Sequence, residues 1–135
     1  MSSRLNLSNR PENLKLLLDF VGKWAQERGL SASRQAGLKG VAVEIFRHLV
    51  AHAYLPEQPG SITVVLEEKG PRLRLLFEDD AAPHNPTRLD KPPPSESANS
   101  SGGTPSLRRV QQLADSLIYY RTPDRKNRLV VFLTL

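Results

Sequence analysis

The stretch that decides the fold is Val43-Glu44-Ile45-Phe46-Arg47-His48-Leu49-Val50-Ala51-His52-Ala53-Tyr54. Its apolar residues recur every three to four positions, and the same period extends upstream to serines that can cap a helix, Ser31 or Ser33. So wide an apolar stripe predicts a deeply buried helix that ends before Pro56. The stripe contains Leu38, Val41, Ala42, Ile45, Phe46, Leu49, Val50 and Ala53.

Upstream of this helix, the sequence predicts a strand and another helix. Leu5 and Leu7 alternate with polar neighbours, which indicates a short edge strand. Pro11 suits a first helical turn, and Gly29 is a stop signal. Between them one face is expected to be buried, through Leu14, Leu17, Leu18, Val21, Trp24 and Ala25.

The residues after the central helix predict a β-hairpin. Pro59-Gly60 turns the chain into a strand over 61–68, and Gly70-Pro71 turns it back into a strand over 72–78. The second strand alternates apolar and charged residues, which is typical of an antiparallel strand with one wet face. Its inward side chains are expected to be Leu73, Leu75 and Phe77.

The last third of the chain predicts a long loop, a third helix and two strands. Prolines, serines and glycines fill the segment from about 80 to 105, a composition typical of a lid, a binding loop or a disordered segment. Helical spacing follows over 107–114, and strands follow over 117–121 and 129–135. The order of elements predicts one α+β domain over 1–135, a two-layer sandwich with helices on one face of a mainly antiparallel sheet. Its core is expected to include Leu17, Val21, Ile45, Leu49, Leu75, Val110, Leu113 and Val131.

Composition excludes several classes of protein. The chain has no cysteine, which excludes a disulfide framework and thiolate metal centres. No run approaches the roughly 18 apolar residues of a membrane span, so we expect a soluble, cytoplasmic protein. The net charge of +5 could attract nucleic acid, but the basic residues are scattered without interleaved aromatic residues, so nucleic acid is not the favoured partner.

The quoted helix and three further stretches resemble the bacterial anti-sigma regulatory serine kinases of the RsbW type, in the GHKL (Bergerat-fold) ATP-binding superfamily. The helix is similar to the family's E-x-x-x-N pattern and its His-Ala-Tyr ending, through Glu44, His52 and Tyr54. The resemblance implies that Glu44 is the base that prepares a substrate serine. It also implies that the position of the family's magnesium-holding asparagine is occupied here by His48.

The second stretch, Phe77-Glu78-Asp79-Asp80-Ala81-Ala82-Pro83-His84-Asn85-Pro86, is similar to the family's D-x-G box. The resemblance implies that Asp79 is the carboxylate that reads adenine. Ala81 stands in place of the glycine that lets the backbone approach the nucleotide, and His84 stands in place of a phenylalanine.

The third stretch, Gly102-Gly103-Thr104-Pro105-Ser106-Leu107-Arg108-Arg109-Val110, occupies the place of the family's glycine-rich lid. Such a lid binds phosphate through converging backbone N–H groups, and Pro105 has none to donate. Gly102 and Gly103 remain candidate nucleotide-binding residues, and Arg108 is a candidate phosphate contact. The fourth stretch, over 113–129, is similar to the family's last helix and hairpin and supports the fold alone.

The resemblance implies a regulatory protein of a partner-switching system. Such a protein is a homodimer through its first strand and helix, and it binds a sigma factor or a STAS-domain anti-anti-sigma partner. The departures at positions 48, 81 and 104–106 predict weak, altered or lost binding of ATP and magnesium, with little or no kinase activity. An active ATP-dependent serine kinase acting on a STAS partner is the alternative.

A metal site is a further interpretation of the central helix. Glu44, His48 and His52 are spaced by four residues and would share one helix face, where imidazoles can bind a transition metal. In the other interpretation, which we favour, His52 packs within the fold and His48 is a replaced magnesium ligand. A metal-responsive or nucleic-acid-binding module is therefore a second alternative.

Overall fold

Antiparallel strands build one sheet in the computed structural model, which describes residues 2–55, 57–83 and 107–134. Within these ranges five strands are ordered β1-β2-β3-β5-β4, and each neighbouring pair is antiparallel. The bounds are β1 Ser2–Ser8, β2 Ser61–Lys69, β3 Arg72–Asp79, β4 Ser116–Arg121 and β5 Asn127–Thr134. The predicted edge strand and hairpin are confirmed, and β1 and β4 are the two edges.

The helices cover one face of this sheet. Pro11–Asn13 forms a 3₁₀ turn that leads into α1, Leu14–Glu27, and Gly29 follows with a φ of 67°, a left-handed conformation that glycine adopts without strain. Ser31 caps α2, Ala32–His48, by accepting a hydrogen bond of 3.2 Å from the Arg34 N–H. A π-helical turn, Leu49–Ala53, continues α2, and α3 is Arg108–Leu113.

The core lies between the helices and the inner face of the sheet, as the two-layer prediction requires. Seven of the eight predicted core residues are buried there, but Leu113 is 46% exposed, so that prediction is wrong. The reason is the length of α3, which has six residues and ends at Leu113. Leu107, just before α3, is fully buried in its place. The confirmed residues are Leu17, Val21, Ile45, Leu49, Leu75, Val110 and Val131.

Part of the predicted lid falls outside the described ranges. Predictions for His84, Gly102 and Gly103 concern residues that the structure does not describe. In the ranges that are described, no helix has the length and apolar character needed to cross a membrane.

Candidate functional site

Glu44, the predicted base, lies on α2 facing α3. Its two carboxylate oxygens accept hydrogen bonds from successive backbone N–H groups of α3: Oε1 from Val110 at 3.0 Å and Oε2 from Arg109 at 3.3 Å. The first N–H groups of a helix have no partner within the helix, so a carboxylate there acts as a cap. Glu44 therefore fixes α3 against α2, a contact that the sequence pattern did not predict.

Small residues on α2 allow α3 to approach this closely. Gly37 and Gly40 precede Glu44 at helical spacing, and a Cβ placed on Gly40 would lie 2.7 Å from Nη1 of Arg109. Leu107 enters the core with a φ of 46°, which positions the chain at the start of α3. The predicted phosphate contact Arg108 is the first residue of α3 and is exposed.

His48 and His52 differ in environment. His48 is 4% exposed, whereas His52 is exposed, so the interpretation that packed His52 within the fold is wrong. The π-helical turn that begins at Leu49 is wider than an α-helical turn and displaces His52 from the buried face. The two rings still lie 5.5 Å apart, centroid to centroid.

Metal binding by this helix stays a prediction. Among the described residues, no group of three or more His, Cys, Asp and Glu side chains is placed to hold a metal ion. Magnesium prefers oxygen ligands in near-ideal octahedral geometry, so the imidazole of His48 does not fit the magnesium that the resemblance implies.

Asp79, the predicted adenine reader, is the last residue of β3 and is 3% exposed. Its Oδ1 accepts a hydrogen bond of 2.8 Å from Nδ2 of Asn127 and one of 3.0 Å from the Ala81 N–H. Ala81 is itself buried, and its φ lies outside the left-handed region that would require glycine. A buried carboxylate held in this way has the chemistry to accept a hydrogen bond from an exocyclic amine, so Asp79 fits the predicted contact with adenine.

Asn127 is the residue of this site that sequence reasoning missed. Register places it opposite Asp79, and its Nδ2 also lies 3.1 Å from the Ala81 carbonyl and 3.0 Å from the Ala82 carbonyl. Its Oδ1 accepts hydrogen bonds from the hydroxyl of Tyr119 at 2.6 Å and Nη1 of Arg121 at 3.0 Å. The available signal was a polar residue two positions before Leu129, on the inward-facing alternation of β5.

A second aspartate, Asp80, is linked to Tyr54 at the end of the central helix. The Tyr54 hydroxyl donates to Oδ1 of Asp80 at 2.7 Å, and the Ser61 N–H donates to the same oxygen at 3.0 Å. Burial first, and then the hydrogen bond to Asp80, raise the pKa of Tyr54 far above its ordinary 10.0. Burial by itself would also raise the pKa of Asp80, but the hydrogen bonds donated by Ser61 and Tyr54 outweigh burial and lower that pKa.

The structure thus builds two separate sets of contacts from the predicted site residues. Asp79 and Ala81 are joined by Asn127 at one end of the sheet, while Glu44 is joined to α3. The side chains present fit a contact with adenine at Asp79, and they do not fit a magnesium ion at His48.

Comparison with known proteins identifies the family. No curated protein matches the chain. The family model for the histidine kinase-like ATPase domain matches residues 7–133, which is nearly the whole chain. The match includes every strand and helix described above except the first five residues of β1 and the last residue of β5. The buried Asp79 at the end of β3 and Glu44 on α2 both lie inside this match. The chain therefore belongs to the histidine kinase-like ATPase domain family, within the GHKL-type ATPases.

Proposed function

We propose that this chain is an anti-sigma-type regulatory protein of a partner-switching system, and that it binds ATP weakly. The observation that carries the proposal is the state of Glu44. Both oxygens of this carboxylate accept hydrogen bonds from α3, so the carboxylate is engaged in holding the fold together. A glutamate in that role is a poor base for a substrate hydroxyl.

Two further residues support weak binding of nucleotide. His48 offers an imidazole where magnesium needs an oxygen ligand, so phosphates bridged by the metal lose an anchor. The N–H of Ala81 donates a hydrogen bond to Asp79, and the carbonyl of Ala81 accepts hydrogen bonds from Asn127 and Arg121. Both backbone groups of Ala81 therefore already have partners within the protein. Protein recognition, rather than phosphoryl transfer, is then the activity that remains.

The proposed partner is a sigma factor or a STAS-domain anti-anti-sigma protein, bound in the cytoplasm by a homodimer. The edge position of β1 and the 54% exposure of Leu16 on α1 support an interface in this region. An unpaired strand edge and an exposed apolar side chain are both features that a second copy can cover.

Calorimetric titration with ATP, in the presence and absence of magnesium, tests the proposal directly. We expect a Kd weaker than about 1 mM, with little change on adding magnesium. Magnesium-dependent binding in the micromolar range, together with phosphate transfer to a serine of a STAS partner, would contradict the proposal and favour an active kinase.

A restored variant gives the complementary test. His48→Asn and Ala81→Gly, combined with glycines at 104–106, should strengthen ATP binding by at least tenfold and make it magnesium-dependent, because the metal ligand and the backbone donors return. The matched control is His52→Asn, the same substitution at an exposed position one turn away, which should leave ATP affinity unchanged.

A further inference from the structure

The outer face of the sheet, opposite the helices, carries a row of apolar side chains. Each apolar member of the row is next in sequence to a residue packed in or against the core, so alternation places the row on the outer face. Leu76 and Val130 in the row are only 7% and 4% exposed, whereas Ile118 is 47% exposed. The row is therefore open to solvent at β4. Across the strands it runs Arg4, Val65, Leu76, Val130 and Ile118.

The two edges of the sheet differ in their protection against pairing with another strand. At β1 the row ends at Arg4, an exposed charged side chain of the kind that discourages such pairing. At β4 the outward side chains are Ser116, Ile118 and Tyr120, of which none is charged and the last is 39% exposed. An exposed apolar edge strand is a site at which another strand pairs.

Backbone groups of β4 also point away from the sheet. The Thr122 N–H donates a hydrogen bond to the Lys126 carbonyl, in the same register as the pairing of β4 with β5. Alternate residues of an antiparallel strand bond to the same neighbour, so the N–H and C=O groups of Leu117 and Tyr119 point toward the free edge. These groups match what a further antiparallel strand needs.

The sequence of β4 is complementary to itself in one register. An antiparallel pair centred on Ile118 places this residue opposite its own counterpart and places Leu117 opposite Tyr119 of the second copy. Aliphatic and aromatic side chains in such cross-strand positions stabilise a sheet. The same register places Arg121 opposite Asp115 of the second copy, so opposite charges face each other. The outer apolar row would then continue from one sheet into the other.

We propose that the β4 edge is a pairing surface for a second copy of this chain, with an antiparallel contact centred on Ile118 that joins two sheets into one. This surface lies at the opposite edge of the sheet from β1, so the inference goes beyond the proposed function and does not depend on it. A chain that used both edges would form assemblies larger than a dimer.

Disulfide cross-linking tests the contact and its register together, because the chain has no cysteine of its own. In Ile118→Cys the two Cα atoms would lie about 4.5 Å apart, as in a non-hydrogen-bonded antiparallel pair, which a disulfide can span. The matched control is Tyr120→Cys, on the same face of β4, because the register places residue 120 opposite Ser116 and away from its own counterpart.

Under mild oxidation, Ile118→Cys should form disulfide-linked dimers at least about tenfold faster than Tyr120→Cys, because only residue 118 lies within reach of its counterpart. Equal rates, or faster cross-linking of Tyr120→Cys, would overturn the proposal.

Sedimentation equilibrium of the full chain tests the assembly without cross-links. Ile118→Lys should lower the weight-average mass at a given concentration, because like charges would face each other at the centre of the contact. Ile118 is nearly half exposed, so lysine is compatible with the fold. Leu16→Lys, at an apolar residue of similar exposure on α1, is the matched control, and adding Ile118→Lys to it should lower the mass again. A mass that Ile118→Lys leaves unchanged would overturn the proposal, whereas a decrease in Leu16→Lys alone would support only the homodimer of the proposed function.

Discussion

The hydroxyl of Tyr54 links the end of the central helix to Asp80 and to the start of β2. Tyr54 is buried, and its hydroxyl meets Asp80, which in turn accepts from the first backbone N–H of β2, at Ser61. Gly60 permits this, since a Cβ at position 60 would lie 2.1 Å from Cε1 of the Tyr54 ring. The sequence predicted the turn at Pro59-Gly60, but a turn pattern carries no information about which ring will lie against it.

The stability of the protein at high pH should depend on Tyr54. The folded state raises its pKa above the ordinary 10.0, so the stabilisation is fully present below pH 10 and is lost as the pH rises above it. The free energy of unfolding, measured by urea titration between pH 9 and about pH 12, should fall by up to roughly 1.4 kcal/mol per pH unit from this group.

Tyr54→Phe provides the comparison. This variant should be less stable at neutral pH by about 1–3 kcal/mol, because a partly buried hydrogen bond to a charged partner is lost. It should also lack the alkaline decrease due to position 54. Tyr120→Phe, at a partly exposed tyrosine on the outer face, should keep that decrease. An unchanged alkaline slope in Tyr54→Phe would contradict the assignment.

Among the helices, α2 has two faces that pack against different parts of the molecule. One face packs into the core, and a second face carries small residues, Gly37 and Gly40, on which α3 rests. The apolar face was predictable because its apolar residues recur at helical spacing from Leu38 to Leu49. The face of small residues could not be predicted. A glycine within a helix indicates only a low helix propensity, and the sequence does not show which element packs against it.

The two glycines allow a comparison within one helix. Gly37→Ala should stabilise the protein by about 0.5–1 kcal/mol, because alanine is the better helix former and its Cβ would meet only Cδ1 of Leu113 at 3.8 Å. Gly40→Ala has the same gain in propensity, but its Cβ would lie within 2.7 Å of the Arg109 guanidinium and must displace it. Thermal unfolding should therefore rank Gly37→Ala above Gly40→Ala, and equal stabilities would show that Arg109 moves without cost.

For the whole molecule, the arrangement of layers was predictable and the polar junctions were not. Alternating strands and amphipathic helices specified an α+β sandwich, because burial of apolar faces leaves few other ways to combine these elements. Asp79 was predicted as a site residue from its motif, whereas its bond to Asn127 depends on the pairing of β3 with β5 across 48 residues. Such a pairing follows from sheet order, which local patterns do not give.

Leucines at the two ends of α3 test how far the core extends. Leu107→Ala should cost about 2–5 kcal/mol in the free energy of unfolding, because a fully buried side chain leaves a cavity. Leu113→Ala should cost less than about 1 kcal/mol, because this side chain is nearly half exposed. Chemical denaturation measures the free energy of unfolding of both variants. A larger loss for Leu113→Ala than for Leu107→Ala would contradict the burial of Leu107 and the exposure of Leu113.

The π-helical turn at Leu49–Ala53 has a consequence for any comparison of this chain with its relatives. Because i→i+5 bonding adds about one residue to a turn, residues within it no longer share the helical phase of α2. His48 lies four residues after Glu44 and is buried, but His52, four residues further on, is exposed to solvent. Tyr54 is buried in the core. Tyr54 follows the turn directly in an extended conformation, so deleting one residue of the turn would move its ring away from Asp80. The local chain length, as much as the residue types, therefore fixes this junction.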